Sequence, residues 1–483
     1  MNPTIAYSKK NEKFFLIAIV FLLFIATRMY WMFSREFWYD EVFTAMIIKE
    51  PWDVMLTHIR QDVHPPLYYI ALKVWTYATG INNIGLRSFS VFCNALNIFA
   101  LYIFLKKYFS DKLLTHFLII LIALNPLFIL YSTEARMYAM LSLFYFLAVY
   151  CFLQASKDPK KIAPWILFII FYTLSIYTHY IALFGIIPFF LYIVFIKDKI
   201  ANLYKLYVSS LIGFLVFSPW LPIFLQQKNS NPNGLLWLTL PGIHSLIKTL
   251  LVMIFGSRGA TPGIAQVNDY YFLQWPQWAI YVNACIVVFL CVFIIYNYKK
   301  YKHLALFFLF SFIPIAIIFA IAKIQHLSIY HERYFIIFVP FFIIFLFSAL
   351  YAAVGKKIFI AIAIMYCVAI ALIKIPSSNS IAPLAMHISE LYSDKQIIAT
   401  DPNQFIMLKY YLPDNMDKNV RLYNAQNPSN DFTSWIIIQN SDRIFSFPKR
   451  VENAIIVSQS KEFLNTQFPD VEVFKINNYY YSK

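Results

Sequence analysis

Carboxylates, histidines and arginines occur together in short polar islands that separate long apolar runs of the sequence. The islands read WYDE at 38–41, DVHPPL at 62–67, STEARMY at 132–138, THY at 178–180 and HERY at 331–334. An aspartate or glutamate can act as a general base, and an arginine or histidine can hold a phosphate. The islands therefore predict one shared site in which an acid removes a proton and cations hold an anion.

Asp40 and Glu41 are the predicted catalytic residues. Either carboxylate could act as a general base, and the other could orient it. Alternatively, the two acids would share a divalent cation, although the sequence has no zinc-site pattern and specifies no cofactor. The structural alternative for Asp40 is to cap the helix that Pro51 ends.

The predicted substrate-binding residues are His64, Arg136, Tyr138, His179, Tyr180 and Arg333. Two prolines follow His64, which suits the start of a helix and places this histidine where it can donate to a phosphate. Arg136 and Arg333 stand at helix starts, where the helix dipole disfavours a cation unless an anion lies nearby. Each of these residues also has a structural alternative. Asp62 could hold His64 in a turn, and His179 could be a structural histidine between tyrosines at the membrane interface. The two arginines could form ion pairs with adjacent glutamates.

The elements that carry these islands are apolar segments of membrane-spanning length. Of the 483 residues, 60% are hydrophobic, and the mean hydropathy is +0.61. Apolar runs of about 16 to 22 residues match a hydrocarbon core of roughly 30 Å. The eleven predicted spans are 14–33, 84–105, 113–131, 137–155, two within 163–196, 206–225, 277–298, 304–322, 334–353 and 358–373. The five cysteines all lie in apolar runs and suit packing rather than disulfides.

Lysine clusters set the predicted orientation, because positive residues concentrate in cytoplasmic loops. The clusters occupy alternate loops, which places the N-terminus inside and the polar islands outside. Counting 65–80 or 241–255 as spans would reverse the later loops, so both are predicted to be helices along the membrane interface. The net charge of +16 comes largely from these loops and indicates no nucleic-acid partner.

The composition changes at about Pro376, where short β-rich runs replace the apolar segments. Strands are predicted at 397–400, 420–423, 434–439, 453–458 and 471–476. We therefore divide the chain into a transmembrane domain, 1–375, with the acids in an outer loop at 34–83, and a small extracytoplasmic α/β domain, 376–483. The second domain has no phosphate-binding loop and is predicted to bind an acceptor or to be structural.

The order of the islands resembles that of the GT-C glycosyltransferases, of the protein mannosyltransferase and aminoarabinose transferase type (glycosyltransferase family 39). The paired acids and DVHPPL are the most specific parts, EARMY and THY follow in the expected order, and the likeness spans about the first 350 residues. Aminoarabinose transferases look to have a lysine-proline pair where this chain has His64-Pro65, which argues against transfer of aminoarabinose to lipid A.

The resemblance implies a polytopic α-helical membrane protein with the GT-C fold and juxtamembrane helices, located in the cytoplasmic (inner) membrane. It implies a polyprenyl-phosphate sugar donor, a lipid, glycan or protein acceptor, and an acid of the first outer loop as the base of an inverting transfer. Asp40 would then take the proton of the acceptor hydroxyl, and Glu41 would orient Asp40 or the acceptor. The competing hypotheses are a transporter or flippase of polyprenyl-linked lipids and an oligosaccharide polymerase or ligase. The chain lacks the internal repeat that is typical of transporters. Polymerases and ligases usually have a large outer loop rich in arginine and histidine, and the loop 226–276 is not rich in these residues.

Overall fold

The structure of the protein is a computed structural model that describes residues 19–230, 240–256, 277–326, 329–371, 380–423, 438, 440–444, 454–468 and 471–482. Helices dominate as far as residue 371. They are α1 (Ile19–Phe33), α2 (Tyr39–Lys49), α3 (Trp52–Gln61), α4 (Leu67–Thr79), α5 (Asn83–Tyr108), α6 (Lys112–Ala123), α7 (Pro126–Ser132), α8 (Tyr138–Ala155), α9 (Ile162–Thr178), α10 (Ile187–Tyr192), α11 (Lys199–Phe217), α12 (Leu221–Ser230), α13 (Ile243–Phe255), α14 (Gln277–Tyr296), α15 (Tyr298–Tyr301), α16 (Ala305–Ile324) and α17 (Val339–Ala371).

Long apolar helices agree with the predicted membrane character. Within the described ranges, five helical stretches are long and apolar enough to span a membrane, and the bent pair α6–α7 makes a sixth. The five stretches are Asn83–Tyr108, Tyr138–Ala155, Lys199–Gln227, Tyr298–Ile324 and Val339–Ile370. Shorter apolar helices coincide with the other predicted spans, at Ile19–Phe33, Ile162–Thr178, Tyr180–Phe195 and Tyr281–Tyr296. Residues 14–18 and 372–373 of two predicted spans lie outside the described residues.

Three details match the predicted span boundaries. The long helix α17 is broken at Gly355, whose φ of 77° and ψ of 170° are a conformation that glycine adopts without strain. The break falls between the predicted spans 334–353 and 358–373. The helices α4 and α13 have 13 residues each, which corresponds to about 20 Å of helix, well short of a hydrocarbon core of roughly 30 Å. Their length agrees with the prediction that neither crosses the membrane.

A proline break between α6 and α7 positions the loop that carries Arg136. The two helices meet at a bend of 51°. Asn125 caps α7 by accepting hydrogen bonds from the Leu127 and Phe128 amides, and Pro126 occupies the first helical turn. The buried Arg28 of α1 donates to the Ala123 carbonyl, one of the groups that the break leaves without a helical partner. The break is therefore stabilised from a neighbouring helix.

A small α/β domain follows the helical part, as predicted. Its strands are β1 (Gln396–Ala399), β2 (Val420–Tyr423), β3 (Arg443–Ile444), β4 (Ala454–Ser458), β5 (Val473–Ile476) and β6 (Tyr479–Ser482), and its helices are α18 (Ala382–Leu391), α19 (Pro402–Tyr411) and α20 (Lys461–Gln467). The strand order is β3-β2-β1-β4-β6-β5, with parallel pairing from β3 to β4 and antiparallel pairing of β6 with both neighbours.

Four of the predicted strands coincide with β1, β2, β4 and β5. The prediction missed β3 and β6. The predicted strand at 434–439 lies outside the described residues except for Ile438, which is not in a strand. Helix α19 packs against α2, and apolar residues of both domains form one continuous core. The α/β domain is thus in contact with the helix that carries Asp40 and Glu41.

Candidate active site

Asp40 lies in the first turn of α2, between two arginines. Trp38 is the N-cap residue of this helix, so the alternative that Asp40 itself is the cap is wrong. The Asp40 Oδ2 lies 3.0 Å from Arg333 Nη1 and 3.8 Å from Arg136 Nε. Its side chain keeps 20% of its surface exposed, while the arginines are more deeply buried. Three of the polar islands therefore meet at this carboxylate.

Arg136 lies in the loop between α7 and α8. Its Nη1 donates to the Thr44 hydroxyl at 3.2 Å and to the Asp40 carbonyl at 3.4 Å. Its buried Nε has no hydrogen-bond partner in the described part of the chain. Burial by itself lowers the pKa of Arg136, but Asp40 and Tyr69 raise it above its usual value. Arg136 is thus a permanent buried cation with one donor available to a ligand.

Arg333 belongs to a 3-10 helix, Glu332–Ile337, that precedes α17. Besides its bond to Asp40, its guanidinium lies 5.8 Å from the centre of the Trp38 ring. Burial lowers the pKa of Arg333, whereas Tyr138 and Asp40 raise it well above its usual value. The adjacent Glu332 has another cation nearby, since its Oε1 lies 3.8 Å from Lys248 Nζ.

His64 is held by a buried acid. Its Nδ1 lies 3.0 Å from Asp62 Oδ2, and the Tyr69 hydroxyl donates to the same oxygen at 3.1 Å. Burial raises the pKa of Asp62, but the charge and hydrogen bond of His64, together with the Val63 amide and the charge of Arg136, hold that pKa below its usual value. The predicted alternative of a turn held by Asp62 is therefore present. It does not exclude a ligand, because the His64 side chain is still 15% exposed.

His179 caps the 3-10 helix Tyr180–Ile186, as its Nδ1 accepts a hydrogen bond from the Ile181 amide at 3.1 Å. This contact fixes the neutral tautomer with its proton on Nε2. That Nε2 is buried and lacks a partner among the described residues. Burial, and then the charges of His64, Arg136 and Arg333, lower the pKa of His179 well below its usual value. His179 is therefore a neutral hydrogen-bond donor rather than a cation.

Aromatic contacts connect His179 with the other islands. Its ring lies 5.5 Å from that of His64, 6.0 Å from Tyr138 and 5.1 Å from Tyr334, measured between ring centres. The rings of His64, Tyr138 and Tyr334 thus surround His179, and Arg333 is close enough for its charge to act on that histidine.

Tyr180 points to a neighbouring network instead. Its hydroxyl donates to Gln227 Oε1 at 2.6 Å and accepts from Trp220 Nε1 at 2.8 Å. The Gln227 amide in turn donates to the carbonyl oxygens of Ile59 and His64. Tyr180 therefore supports the chain around His64 through Gln227.

Glu41 does not share the surroundings of Asp40. Its side chain is fully buried, and both of its oxygens accept hydrogen bonds of 2.7 Å from the Arg87 guanidinium. The Ala135 amide donates to Oε1 at 2.8 Å. These contacts hold Glu41 in the interior and give no support to the expectation that it orients Asp40 or shares a cation with it. Their geometry is that of a buried, bidentate ion pair that joins α2 to α5.

Sequence reasoning missed the arginines that shape this region. Arg87 lies inside the predicted span 84–105 and is fully buried, and Arg28 lies inside the span 14–33. Beyond Glu41, Arg87 donates to the carbonyls of Met32, Arg35 and Glu36. A usable signal was present, because an arginine within an apolar span requires a buried partner. The identity of that partner was not in the sequence.

The donor set at Asp40 suits an anion better than a metal. The groups beside its carboxylate are two guanidiniums, which repel a divalent cation. Within the described ranges, no three His, Cys, Asp or Glu side chains converge in a way that could hold a metal ion.

The fold is similar to that of one solved structure, ArnT. The crystal structure of apo ArnT from Cupriavidus metallidurans matches at a TM-score of 0.60 and 12% identity, over 98% of this chain and 98% of that chain. The apo oligosaccharyltransferase of Archaeoglobus fulgidus matches at a TM-score of 0.46 and 11% identity, over 86% of this chain and 64% of that chain. A family model, dolichyl-phosphate-mannose-protein mannosyltransferase, matches residues 63–223. No curated protein matches the sequence.

The described residues form a helical membrane fold of the GT-C type, with a buried cation cluster around one carboxylate. Residues 63–223 are similar to the dolichyl-phosphate-mannose-protein mannosyltransferase family. The segment that matches the family model contains His64, Arg136 and His179. Asp40 and Arg333 lie outside that segment and join it only through the tertiary structure.

Proposed function

We propose that this protein transfers a sugar from a polyprenyl-phosphate donor to a lipid, glycan or protein acceptor, with inversion at the anomeric carbon. The observation that carries the proposal is the position of Asp40 between Arg136 and Arg333, with His64 and His179 in the same cluster. A base beside a group of anion-binding donors is what such a transfer requires. The family model supports the donor class, since its name specifies a dolichyl-phosphate sugar.

Asp40 is the general base of this reaction. Its carboxylate takes the proton of the acceptor hydroxyl while that oxygen forms a bond to the anomeric carbon. The bond from the anomeric carbon to the phosphate oxygen breaks in the same step, and its electron pair stays on the polyprenyl phosphate. One displacement inverts the configuration. A phosphate is a good leaving group, so no second carboxylate is needed to protonate it, in contrast to inverting hydrolases.

The cation cluster binds the donor phosphate and stabilises its growing charge. Arg136 offers its Nε and His179 offers its Nε2 proton, neither of which has a hydrogen-bond partner among the described residues. When the phosphate binds, Arg333 donates some of its guanidinium N–H groups to it instead of to Asp40. His64 is the remaining member of the cluster. Each such donor contributes roughly 2 to 4 kcal/mol to the transition state in a site that excludes water. Tyr138 lines the same cluster, and Tyr180 supports it through Gln227.

We further propose that the site faces the outer side of the cytoplasmic membrane. The lysine clusters mark the opposite loops as cytoplasmic. In this arrangement residues 1–375 form the transmembrane catalytic domain, and residues 376–483 form an extracytoplasmic α/β domain beside the acceptor. Cysteine labelling at positions 110, 159 and 430 tests the orientation, and a cytoplasmic position 430 contradicts it.

The experiment that tests the function compares cells with and without the gene by mass spectrometry of surface lipids, glycans and glycoproteins. We expect one sugar modification to disappear and to return with the wild-type chain but not with Asp40→Asn. The purified protein should then consume the corresponding polyprenyl-phosphate sugar and give a product of inverted anomeric configuration, which NMR detects. Full restoration of the modification by Asp40→Asn, or a product of retained configuration, contradicts the proposal.

A further inference from the structure

The segment that leads into Asp40 has no regular secondary structure and is held in place by distant side chains. Residues 34–38 connect α1 to α2. The Arg35 and Glu36 carbonyls accept hydrogen bonds from Arg87 at 2.6 and 3.0 Å. The next carbonyl, that of Phe37, accepts a hydrogen bond of 3.0 Å from the Tyr411 hydroxyl, although 374 residues separate the two. Three consecutive backbone acceptors are thus satisfied from elsewhere in the fold.

Tyr411 is the last residue of α19, in the α/β domain. The preceding Tyr410 packs its ring 5.9 Å from the Phe37 ring, and the Lys49 ammonium at the far end of α2 lies 5.4 Å from the Tyr410 ring. Phe37 is fully buried, with the Arg87 guanidinium 4.9 Å from its ring centre. Helix α19 therefore contacts α2 near both of its ends.

We propose that Tyr411 is a positioning residue of the active site, through which the α/β domain fixes the start of α2 and thereby the Asp40 carboxylate. The inference rests on the proposed role of Asp40 as base. The Phe37 carbonyl is three residues before Asp40, and Trp38 between them is the N-cap residue of α2. Movement of this segment displaces the first turn of α2. Misplacement of a catalytic group by about 1 Å can lower a rate about 100-fold, so a small shift of this helix is sufficient to affect turnover.

The test is Tyr411→Phe in the full-length protein, which removes the hydroxyl and keeps the ring. We expect kcat to fall about 5- to 20-fold, while KM for donor and acceptor changes by less than about twofold, because the base moves and the phosphate cluster does not. Hydrogen exchange should increase in residues 37–42 and stay unchanged in β1 and β4.

Tyr481→Phe is the matched control. Its hydroxyl lies 2.8 Å from His387 Nε2 within the α/β domain, so this variant loses a hydroxyl contact of the same domain that does not involve α2. We expect its kcat to equal that of the wild type. The inference is overturned if Tyr411→Phe retains wild-type kcat, if KM rises instead, or if the control loses as much. It is also overturned if exchange increases throughout the sheet, since Tyr411 would then only stabilise its domain.

Asp40→Asn, measured in parallel, separates this inference from the proposed function. If Asp40→Asn retains activity, the role of Asp40 as base is wrong and the argument for Tyr411 fails with it. If Asp40→Asn is inactive and Tyr411→Phe has wild-type kcat, the base assignment stands and only the positioning role is rejected.

Discussion

Arg333 Nη1 lies 3.0 Å from Asp40 Oδ2, although 293 residues separate the two side chains in the sequence. The pair joins the first turn of α2 to the segment before α17. Arg136 approaches the same oxygen from the loop before α8. The carboxylate that we propose as base is therefore held by the cations that we propose to bind the donor phosphate, so binding of the donor and exposure of the base are linked.

The first prediction concerns Asp40→Asn. The substitution keeps the size of the side chain but removes its ability to accept a proton, so kcat should fall about 100-fold or more. Binding of the polyprenyl-phosphate donor should persist, because we propose that the arginines and histidines hold it. Steady-state kinetics and a direct binding assay with the purified enzyme measure the two effects. Transfer at a near-normal rate would reject Asp40 as base and direct attention to Glu41 or Asp62.

The second prediction separates Glu41 from Asp40. Removal of one partner from a buried ion pair costs about 3 to 5 kcal/mol, because it leaves the other charge without compensation. Glu41→Gln and Arg87→Met should each lower the melting temperature in detergent, and the double variant should lose less than the sum of the two. A Glu41→Gln protein with wild-type melting temperature and greatly reduced kcat would instead indicate a chemical role for Glu41.

The third prediction tests His179 as a neutral donor. In His179→Asn the amide oxygen can replace Nδ1 as the acceptor for the Ile181 amide, because asparagine is a good cap residue. The donor at Nε2 is lost. We expect wild-type thermal stability. The affinity for the polyprenyl-phosphate sugar should fall about tenfold, as for the loss of one hydrogen bond to a charged group. Unchanged affinity would leave His179 with the capping role alone.

The fourth prediction is a pH dependence of stability that arises from Glu134. Burial, and to a smaller extent the charge of Glu41, raise the pKa of this acid from 4.5 to about 8, even though Arg35 opposes the shift. Between these two values the folded protein binds a proton that the unfolded chain has released, so stability is lost as the pH rises. The nearby groups are Arg35, Glu41, Arg333 and Asp40.

Glu134→Gln removes this dependence, because an amide has no proton to lose in this range. The melting temperature of the variant minus that of the wild type should be more positive at pH 8 than at pH 5. Thermal unfolding at both values measures the difference. An equal offset at the two pH values would show that Glu134 is ionised in the folded protein throughout the range.

The fifth prediction is that transfer does not need a divalent cation. Two guanidinium groups lie within 4 Å of the Asp40 carboxylate. They supply the positive charge that a metal ion would otherwise supply there. Turnover in excess EDTA should equal turnover with added Mg²⁺ or Mn²⁺. Loss of activity in EDTA that either metal restores would show that a cation enters the site with the donor.

Membrane helices and polar islands were accessible to sequence reasoning because each depends on local properties. An apolar run of sufficient length predicts a span wherever it occurs, and Gly355 marks the break within α17 because its backbone conformation favours glycine. The short strands β3 and β6 were missed, since pairing with their neighbours decides them more than their own composition does.

The sequence by itself determined which residues are candidates for the chemistry, since acids, histidines and arginines are rare in apolar surroundings and stand out wherever they occur. Only the tertiary structure decided which partners each of them contacts. Asp40 and Glu41 are neighbours in the chain, but successive residues of a helix point about 100° apart. One carboxylate therefore faces Arg136 and Arg333 beside the open side of the cluster, whereas the other is sealed against Arg87. Packing between segments that are distant in the sequence sets such partners, and no local pattern encodes it.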